Sequence, residues 1–490
     1  MSHPIASIQI PIFWVVLFAS CSAAERNSNE SAAIARIEQL GGRVSVGKKD
    51  KSMIDVDLSR TKVCDAALEC LKELKGLQSL DLTGAEVSDA GLVHLRELKE
   101  LQLLDLTGTK ISDEGLRYLE GLTELQSLDL MWTKITGAGL DQLKGLTSLQ
   151  SLDLRGTKIT DAELEQIKQY PPNLQSLDLR ETTISGNGFS CFKSLINLRS
   201  LNLSYTQLAD IGLEHLRGLP NVQSLDLRGT KVTDVGLRHL EGLKIQELML
   251  GGTEITNVGL ESIARLPRLQ ELDLGNTAIS DSGLPYLKEL TGLKLLSLVN
   301  TTVSDIGLEQ LGELKELRTL CLMGTEISDA GLAHVKKLKE LQSLDLMETR
   351  VSEAGLESLK GLTELQWLNL SSTDVTGAAL EHIKGLRCLL LIDTNVTDKG
   401  LKHLKGLTRL EELNLNATDI TDAGLEELEG LTNLQSLDIS NNRVTDSGLA
   451  HLKGLSKLRG LDVSDTQVTA EGVKALQQAL PRCMILPRID

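Results

Sequence analysis

The sequence predicts an α/β solenoid: a curved, right-handed superhelix with a parallel sheet on its concave face and short helices on its convex face. Three observations predict this fold. A pattern of 24 residues repeats along most of the chain, each repeat contains a short apolar alternation of period two, and leucines at helical spacing follow it. A single repeat cannot bury its apolar side alone, so neighbouring repeats must stack.

Length and composition exclude several other classes of protein. The chain has 490 residues, of which 41% are hydrophobic, 24% are charged and only 2% are aromatic. It is too apolar to be disordered and too long for the single core that is usual near ~150 residues. The formal charge of −17 argues against nucleic acid or an anionic membrane surface as the main partner.

The first 24 residues have the features of an export signal. The run from Ile8 to Ala19 is apolar but short for a membrane span, and small residues precede a cleavage position before Glu25. No Lys or Arg stands before the run. The segment Phe18–Cys21 partly matches a lipoprotein box, so a lipid anchor at Cys21 is an alternative to free secretion. No later segment has the features of an integral membrane span.

The repeat is clearest from Leu125 to Ser148, where it follows LxxLxLxxTxIxxxGLxxLxxLxx. Ala85 and Asn442 fill two slots that otherwise hold a marker threonine, which gives about 18 repeats over residues 53–470. The marker threonines are Thr61, Thr109, Thr133, Thr157, Thr182, Thr206, Thr230, Thr253, Thr277, Thr301, Thr325, Thr349, Thr373, Thr394, Thr418 and Thr466.

Each part of this repeat predicts one structural element. Leu128 and Leu130 alternate with polar residues, as in a short strand. Ile135 returns the chain to the core, and Thr136 is a predicted helix N-cap. The helical leucines are Leu140, Leu143 and Leu146. We expect Gly139 to let the helix lie close to the strands. Strands stack about 4.8 Å apart and helices about 8–10 Å apart, so the solenoid must curve.

These residues resemble the leucine-rich repeat family. The pattern is most similar to the 24-residue LxxLDLxxTxITDxGLxxL type of exported bacterial repeat proteins, and is related to the ribonuclease-inhibitor-like class. The chain departs from the commonest family pattern in having threonine where Asn or Cys usually stands. The resemblance implies a non-enzymatic scaffold that binds its partner on the concave face.

The ends and three irregular repeats are also predictable. Residues 25–52 are the expected N-terminal cap and residues 471–490 the expected C-terminal cap, since the outermost leucine layers need cover. The repeat gains one residue near 170–172, loses one at 242–245 and loses three at 383–394. These changes are either tolerated corner loops or, near 385–392, a local kink.

A row of carboxylates is expected on the concave face. The slot between the two strand leucines holds Asp57, Asp81, Asp105, Asp129, Asp153, Asp178, Asp226, Asp273, Asp345, Asp438 and Asp462. Carboxylates about 5 Å apart repel one another. The row is either a solvated feature of the repeat or a surface for cations or a basic ligand. It lacks the Gly-rich loops of calcium-binding repeats, so calcium is not predicted.

Two groups of unusual residues are the candidate binding sites. The aromatic–arginine patch contains Trp132, Met131, Arg155, Arg180, Glu181, Tyr205 and Arg228. The apolar patch contains Trp367, Leu295, Val299, Met323, Met347, Leu390 and Ile392. Exposed Trp, Tyr and Arg are common anchors of protein interfaces, and an exposed apolar surface also indicates a contact.

No catalytic or metal-binding motif is apparent. Seven of the eight histidines occupy one slot on the helical side, and the seven cysteines are scattered without a CxxC or zinc spacing. We predict no enzymatic activity, no cofactor and no disulfide framework.

The sequence therefore predicts an exported binding scaffold whose partner is a protein, with a glycan as second choice. Two alternatives stay open. The chain could be a regulatory or inhibitory subunit of an enzyme, intracellular if residues 1–24 are not a signal. It could also be a structural protein of the cell envelope.

Overall fold

The computed structural model describes residues 28–47, 53–164 and 171–487. The predicted signal peptide and Cys21 lie outside the described residues, as does Tyr170. The chain divides into two compact units, with unit 1 ending at Leu198 and unit 2 beginning at Arg199. Each unit is an α/β solenoid of short strands and short helices.

Unit 1 begins with the helix α1 and a hairpin of two strands, and then follows the repeat. Its strands are β1 (Arg43–Val46), β2 (Ile54–Asp57), β3 (Leu77–Asp81), β4 (Leu103–Asp105), β5 (Ser127–Asp129), β6 (Ser151–Asp153) and β7 (Ser176–Asp178). Its α-helices are α1 (Ser28–Gln39), α2 (Asp89–Leu92), α3 (Asp113–Leu116), α4 (Gly137–Leu140) and α5 (Asp161–Leu164). Short 3₁₀ helices cover Asp65–Glu73, Val93–Leu95, Asp141–Gly145 and Phe189–Ser194.

Unit 2 continues the same order of elements. Its strands are β8 (Ser200–Asn202), β9 (Ser224–Asp226), β10 (Glu247–Met249), β11 (Glu271–Asp273), β12 (Leu295–Ser297), β13 (Thr319–Cys321), β14 (Ser343–Asp345), β15 (Trp367–Asn369), β16 (Cys388–Leu390), β17 (Glu412–Asn414), β18 (Ser436–Asp438), β19 (Gly460–Asp462) and β20 (Met484–Leu486).

The helices of unit 2 lie between these strands in the chain. The α-helices are α6 (Asp210–Leu216), α7 (Asp234–Leu237), α8 (Gly259–Ile263), α9 (Asp305–Gln310), α10 (Asp329–Val335), α11 (Glu353–Leu356), α12 (Asp398–Leu401), α13 (Asp422–Glu426), α14 (Asp446–Leu449) and α15 (Ala470–Ala479). The 3₁₀ helices are Leu284–Glu289, Leu311–Glu313, Glu357–Leu359, Ala378–His382, Lys402–Leu404 and Ala450–Gly454.

Parallel pairing between successive strands confirms the predicted fold class. In unit 1, β1 pairs antiparallel with β2, and the strands from β2 to β7 pair parallel in chain order. In unit 2 the strands from β8 to β20 pair in the same way. Register places equivalent residues opposite one another, such as Leu128 and Leu152. The outward side chains therefore form straight rows across the sheet of each unit.

The core consists of stacked apolar layers, as the repeat predicts. Leu128, Leu130 and Ile135 are at most 1% exposed, and the helical leucines of the same repeat are equally inaccessible. Phe189 and Phe192 replace leucines, and their buried rings stack with centroids 4.4 Å apart. Burial of one such side chain contributes roughly 1.5–3 kcal/mol, so the layers supply most of the driving force for folding.

The marker threonine closes the turn of its own repeat. The Thr133 hydroxyl donates to the carbonyl of Leu130 at 2.6 Å, and the same bond recurs from Thr109 to Leu106. Asn442 can reach farther, because its amide donates to the carbonyl of Leu415 one repeat earlier at 2.7 Å. Threonine therefore satisfies the turn within its own repeat, and a link to the next repeat occurs where Thr418 donates to Asn442 at 3.0 Å.

A carboxylate at the start of most of the helices in the repeats links adjacent repeats instead. Asp113 accepts the backbone N–H of Thr136 at 2.9 Å and its hydroxyl at 2.6 Å. We call this pair of hydrogen bonds a staple. Equivalent staples join Asp65 to Ser88, Asp89 to Ser112, Asp161 to Ser185, Asp210 to Thr233, Asp234 to Thr256, Asp281 to Ser304, Asp305 to Ser328, Asp329 to Ser352, Asp398 to Thr421, Asp422 to Thr445 and Asp446 to Thr469.

The conserved spacing of glycine in the repeat has a different cause from the expected one. A Cβ atom on Gly139 would lie 2.3 Å from Oδ1 of Asp113 and 3.1 Å from Cδ1 of Leu116. Both atoms belong to the preceding repeat and neither belongs to a strand. The glycine therefore makes room for the staple, and the prediction that it brings the helix close to the strands is wrong.

Candidate functional site

The turn after each strand contains a residue in the left-handed backbone region. Trp132 has φ 59° and Tyr205 has φ 56° at this position. Other repeats fill it largely with residues that tolerate this region: Gly84, Gly108, Gly156, Gly229, Gly252, Gly324, Asn276, Asn300, Asn441, Asp393 and Asp465. A bulky aromatic residue is a true outlier here. The sequence analysis missed the requirement, although the column of Gly, Asn and Asp is a signal that could have revealed it.

Trp132, in unit 1, lies across the following repeat. A Cβ atom on Gly156 would be 3.5 Å from each of three atoms of the indole ring. The backbone N–H of Trp132 donates to the carbonyl of Arg155 at 2.9 Å, which fixes the start of the side chain. The residue is nevertheless 61% exposed. The backbone of Trp132 is thus held in place, while its indole ring stays accessible to solvent.

Tyr205 has the same arrangement in unit 2. A Cβ atom on Gly229 would lie 2.7 Å from Cδ1 of the Tyr205 ring, so only glycine leaves space for the ring in this position. The Tyr205 N–H donates to the carbonyl of Arg228 at 2.7 Å, and the residue is 60% exposed. Both aromatic residues of the predicted patch therefore occupy the same place in their repeats.

The arginines of the patch are paired with carboxylates of their own repeats. Arg155 lies 3.5 Å from Asp153, and Nε of Arg180 lies 3.0 Å from Asp178. Nη2 of Arg228 contacts Asp226 at 2.6 Å, and Nε of Arg228 donates to the same carboxylate at 3.0 Å. These side chains are half-buried. The hydrogen bond with Asp226 raises the pKa of the Arg228 guanidinium.

The predicted aromatic–arginine patch is distributed over both units. Unit 1 contains Met131, Trp132, Arg155, Arg180 and Glu181, and the pairing of β5 with β6 and of β6 with β7 makes their repeats neighbours. Unit 2 contains the other two members, and they share neighbouring repeats through the pairing of β8 with β9. Each group is a candidate site within its own unit.

The outward carboxylates of unit 1 are partly withdrawn from water. Burial raises the pKa of Asp129 to about 7, and the neighbouring carboxylates Asp153 and Asp105 add to this shift. Burial also raises the pKa of Asp81 and of Asp153. Each carboxylate accepts the backbone N–H two residues later, as from Met131 to Asp129 at 2.9 Å. The hydrogen bonds therefore fix the row, and Asp81, Asp129 and Asp153 are costly to ionise rather than fully solvated.

Charge compensation differs along this row. Asp153 and Asp178 have arginine partners. In the described part of unit 1, no Lys or Arg forms an ion pair with the four preceding members of the row, which are Asp57, Asp81, Asp105 and Asp129. The sheet of unit 1 thus has carboxylates without a basic partner beside Trp132.

The predicted apolar patch lies in unit 2 and is more enclosed than expected. Leu295 is only 7% exposed. The remaining members, Val299, Met323, Met347, Trp367, Leu390 and Ile392, are half-buried. Polar residues of the same face, including Ser297, Asp345 and Asn369, are buried among these rows. The patch is a packed layer on the sheet, and its side chains are less exposed than those of Trp132 and Tyr205.

The histidines and cysteines do not assemble into a recognisable reactive centre in the part of the chain that the structure describes. His403 contacts Glu381 at 2.9 Å and His451 contacts Glu429 at 2.7 Å, both on the helical side. No group of three or more His, Cys, Asp or Glu residues in the described ranges could hold a metal ion. Within the same ranges, no helix has the length and apolarity needed to cross a bilayer.

Comparison with known proteins places the repeats in a family. Two family models, both described as leucine rich repeat, match the chain at residues 172–232 and 408–468 and at residues 100–119, 122–143 and 145–162. No curated protein sequence matches the chain.

Two solved structures show the same fold. A leucine-rich repeat protein of Leptospira interrogans is 24% identical, with a TM-score of 0.57 over 81% of this chain and 97% of that one. The structure of a complex of TLR13 with the RNA ssRNA13 is 18% identical, with a TM-score of 0.54 over 86% of this chain and 74% of that one. At these identities the likeness establishes the architecture alone.

Proposed function

We propose that this chain, which is a leucine-rich repeat protein, is a non-enzymatic scaffold that binds a protein partner through the outward face of its sheet. Trp132 is the central contact in unit 1, with Met131, Arg155 and Arg180 around it. Tyr205 and Arg228 form the corresponding contact in unit 2. The second contact area is the layer of Met323, Met347 and Trp367.

The observation that carries this proposal is the backbone conformation of the two exposed aromatic residues. A left-handed conformation costs a non-glycine residue roughly 1–2 kcal/mol. Trp132 and Tyr205 are 61% and 60% exposed, so the packing of their side chains offsets little of that conformational cost. Strain that core packing does not explain is typical of functional positions. Exposed Trp and Tyr side chains are also the most frequent energetic anchors of protein interfaces.

Charge favours a partner that presents basic side chains. The uncompensated carboxylates beside Trp132 would be stabilised by Lys or Arg from a partner, since an opposite charge nearby favours the ionised form. A cationic side chain could also stack on the indole ring. The structure that contains RNA raises nucleic acid as another ligand, but phosphates would be repelled by this row and by a chain of net charge −17.

We also propose that the chain is exported and that residues 1–24 are removed. The apolar run and the small residues before Glu25 support this. A lipid anchor at Cys21 is the alternative to free secretion within the same export proposal. Residues 25–52 and 471–490 then cap the array of residues 53–470. Sequencing the amino terminus of the mature chain tests it: a chain that begins with Met1 in a soluble cytoplasmic fraction would contradict export.

The binding proposal is tested with residues 25–490 as bait in extracts of the cell surface and of the cytoplasm. Captured proteins are identified by mass spectrometry, purified and titrated against the bait. Trp132→Ala should weaken the dissociation constant about 30-fold, the equivalent of about 2 kcal/mol. Val93→Ala, at an exposed apolar residue on the helical side of unit 1, is the matched control and should leave the affinity unchanged.

The same comparison is available in unit 2. Tyr205→Ala should weaken binding, whereas Tyr286→Ala, at an exposed tyrosine in a 3₁₀ helix, should not. If a partner binds all four variants as tightly as it binds wild type, these residues are not part of its contact surface. Capture of an enzyme whose activity falls on binding would favour the inhibitory-subunit alternative. Self-association without any other partner would favour the structural alternative.

A further inference from the structure

Two links join neighbouring repeats of unit 2 at the turn that leads into the helix, on the side away from the strands. The first is the staple, such as Asp305 to Ser328. The second is a backbone hydrogen bond from Arg350 N–H to the Ile327 carbonyl at 2.8 Å, which forms part of a parallel bridge between Ser328 and Arg350. We call this side of the unit the loop side.

Both links are missing between the short repeat, which extends from Thr373 to Thr394, and the repeat that follows it. Toward the preceding repeat they are present, since Glu353 accepts the N–H and the hydroxyl of Thr376 and the Asp374 N–H donates to the Val351 carbonyl. Gly377 stands where the staple needs a carboxylate, and Thr397 donates to no carboxylate. No backbone hydrogen bond joins Asn395 N–H to the Val375 carbonyl. No bridge pairs residue 376 with residue 395, although bridges occur on both sides of the gap, from Ser352 to Asp374 and from Thr397 to Asp419.

The sheet is uninterrupted at the same repeat. Trp367 pairs with Cys388, and Cys388 pairs with Glu412, in the regular parallel register. Loss of three residues therefore removes links on the loop side and leaves the strands together. The two sides of one repeat differ in how firmly they are held.

A cleft marks the place where the links are absent. Its volume is about 300 Å³, and its lining includes Ser372, Thr373, Asp374, Asp393, Thr394 and Asn395. Beside the cleft the backbones of the two repeats are in close contact. A Cβ atom on Gly377 would lie 3.2 Å from Cα of Gly400, and a Cβ on Gly400 would clash with the Thr376 carbonyl oxygen. The side-chain hydrogen bonds that cross this interface, from Asn395 to Asp374 at 3.5 Å and between His403 and Glu381 at 2.9 Å, are exposed, and exposed pairs contribute little to stability.

We propose that the short repeat is a joint in unit 2, at which the loop side opens locally while β15, β16 and β17 stay paired. Stability in a repeat array is a sum of contributions from repeats and from the interfaces between neighbours. Local opening occurs where the fewest interactions must break. The interface between residues 374–383 and 395–404 lacks the staple and the backbone hydrogen bond that its neighbours have, so it opens first.

Hydrogen exchange of the full chain tests this joint. Protection factors, which correct for the intrinsic exchange rate of each amide, are compared between segments 380–383 and 395–404 and their counterparts 356–359 and 419–428. Residues 374–379 are left out because their amides are held to the preceding repeat, as from Thr376 and Gly377 to Glu353. Protection at the joint should be lower by about tenfold or more. The strand amides of Cys388 and Leu389 should be as protected as those of Trp367 and Leu368. Equal protection of the four loop-side segments would overturn the proposal.

Two variants separate the missing links from other causes. Asp398→Ala removes the staple to Thr421, and protection of segment 419–428 should fall about tenfold. Unchanged protection there would show that staples do not control opening. In the second variant a copy of residues 350–373 replaces residues 374–394, which restores the repeat length and puts Glu in place of Gly377. Segment 397–404 should then gain protection to the level of its counterpart, and a folded variant without that gain would contradict the joint.

Discussion

The indole ring of Trp132 lies over Gly156, the residue that occupies the same left-handed turn position one repeat later. Three ring atoms stand 3.5 Å from where a Cβ of residue 156 would be. Tyr205 and Gly229 repeat the relationship in unit 2. In both cases an exposed aromatic side chain therefore packs against a glycine in the next repeat. One such pair lies on the surface of each unit.

The strain at Trp132 predicts that two substitutions differ in their effect on stability but not in their effect on binding. Trp132→Gly relieves the left-handed conformation, whereas Trp132→Ala retains it. The glycine variant should be more stable than the alanine variant by about 1 kcal/mol, measured by chemical denaturation. Both variants lack the ring and should lose affinity for a captured partner equally. Equal stability of the two variants would show that the turn is not strained.

Gly229, which lies under the Tyr205 ring, should not tolerate a Cβ atom without a movement of that ring. Gly252, in the next repeat, should. Gly229 and Gly252 have φ 64° and 71°, so alanine at either position has a similar backbone cost of about 1 kcal/mol. Only Gly229→Ala also displaces the tyrosine ring, because a Cβ there would be 2.7 Å from it, whereas the nearest atom at Gly252 is 3.7 Å away. Crystal structures of both variants should show a moved ring only in Gly229→Ala. An unmoved ring would mean that the backbone absorbs the added atom.

The staple predicts non-additive effects of two substitutions. Asp113→Ala removes two hydrogen bonds to Thr136 and should lower the free energy of unfolding by about 1–3 kcal/mol. Gly139→Ala places a Cβ against the same carboxylate and should cost about 1–3 kcal/mol. The double variant should lose less than the sum, since removing the carboxylate makes room for the Cβ.

Gly121→Ala is the control for this cycle. A Cβ there meets only Nζ of Lys99, at the end of a flexible side chain, so its unfolding free energy should change little. Additive losses in the double variant would mean that Asp113 and Gly139 act independently.

The raised pKa of Asp129, about 7 in the folded chain, predicts that stability falls as pH rises. An unfolded aspartate titrates near 3.9, so between pH ~4 and ~7 the folded chain holds a proton that the unfolded chain has released. The free energy of unfolding therefore decreases over this window. Asp129→Asn should be more stable than wild type at pH 8 by about 1–3 kcal/mol and similar to it at pH 4.

Denaturation curves across this pH range measure the difference. Asp419→Asn, at an exposed carboxylate that pairs with Arg443 at 3.3 Å, is the control and should leave the pH profile unchanged. A difference in unfolding free energy between wild type and Asp129→Asn that stays the same from pH 4 to pH 8 would contradict the raised pKa.

The candidate site was predictable in part. Sequence reasoning selected Trp132 and Tyr205 because they break the repeat at outward positions, and both are exposed. It treated Arg155, Arg180 and Arg228 as free anchors, although each is paired with the aspartate two residues before it. It also overestimated the exposure of the apolar patch. The spacing Asp-x-Arg within one repeat was a signal for these ion pairs that sequence reasoning did not use. Burial depends on how side chains from adjacent strands lie over one another, and no spacing within one repeat reports that.

The sequence by itself determined the strands, the helices and the buried leucines of this protein, because periods of two and of about 3.6 residues decide which side chains share a face. Tertiary structure alone decided what happens between repeats: the staple from Asp113 to Thr136, the glycine that makes room for it, the ring of Trp132 over Gly156, and the missing links beside Gly377. These features depend on backbone dihedrals and on distances between residues more than twenty positions apart. They exist only once the repeats are stacked.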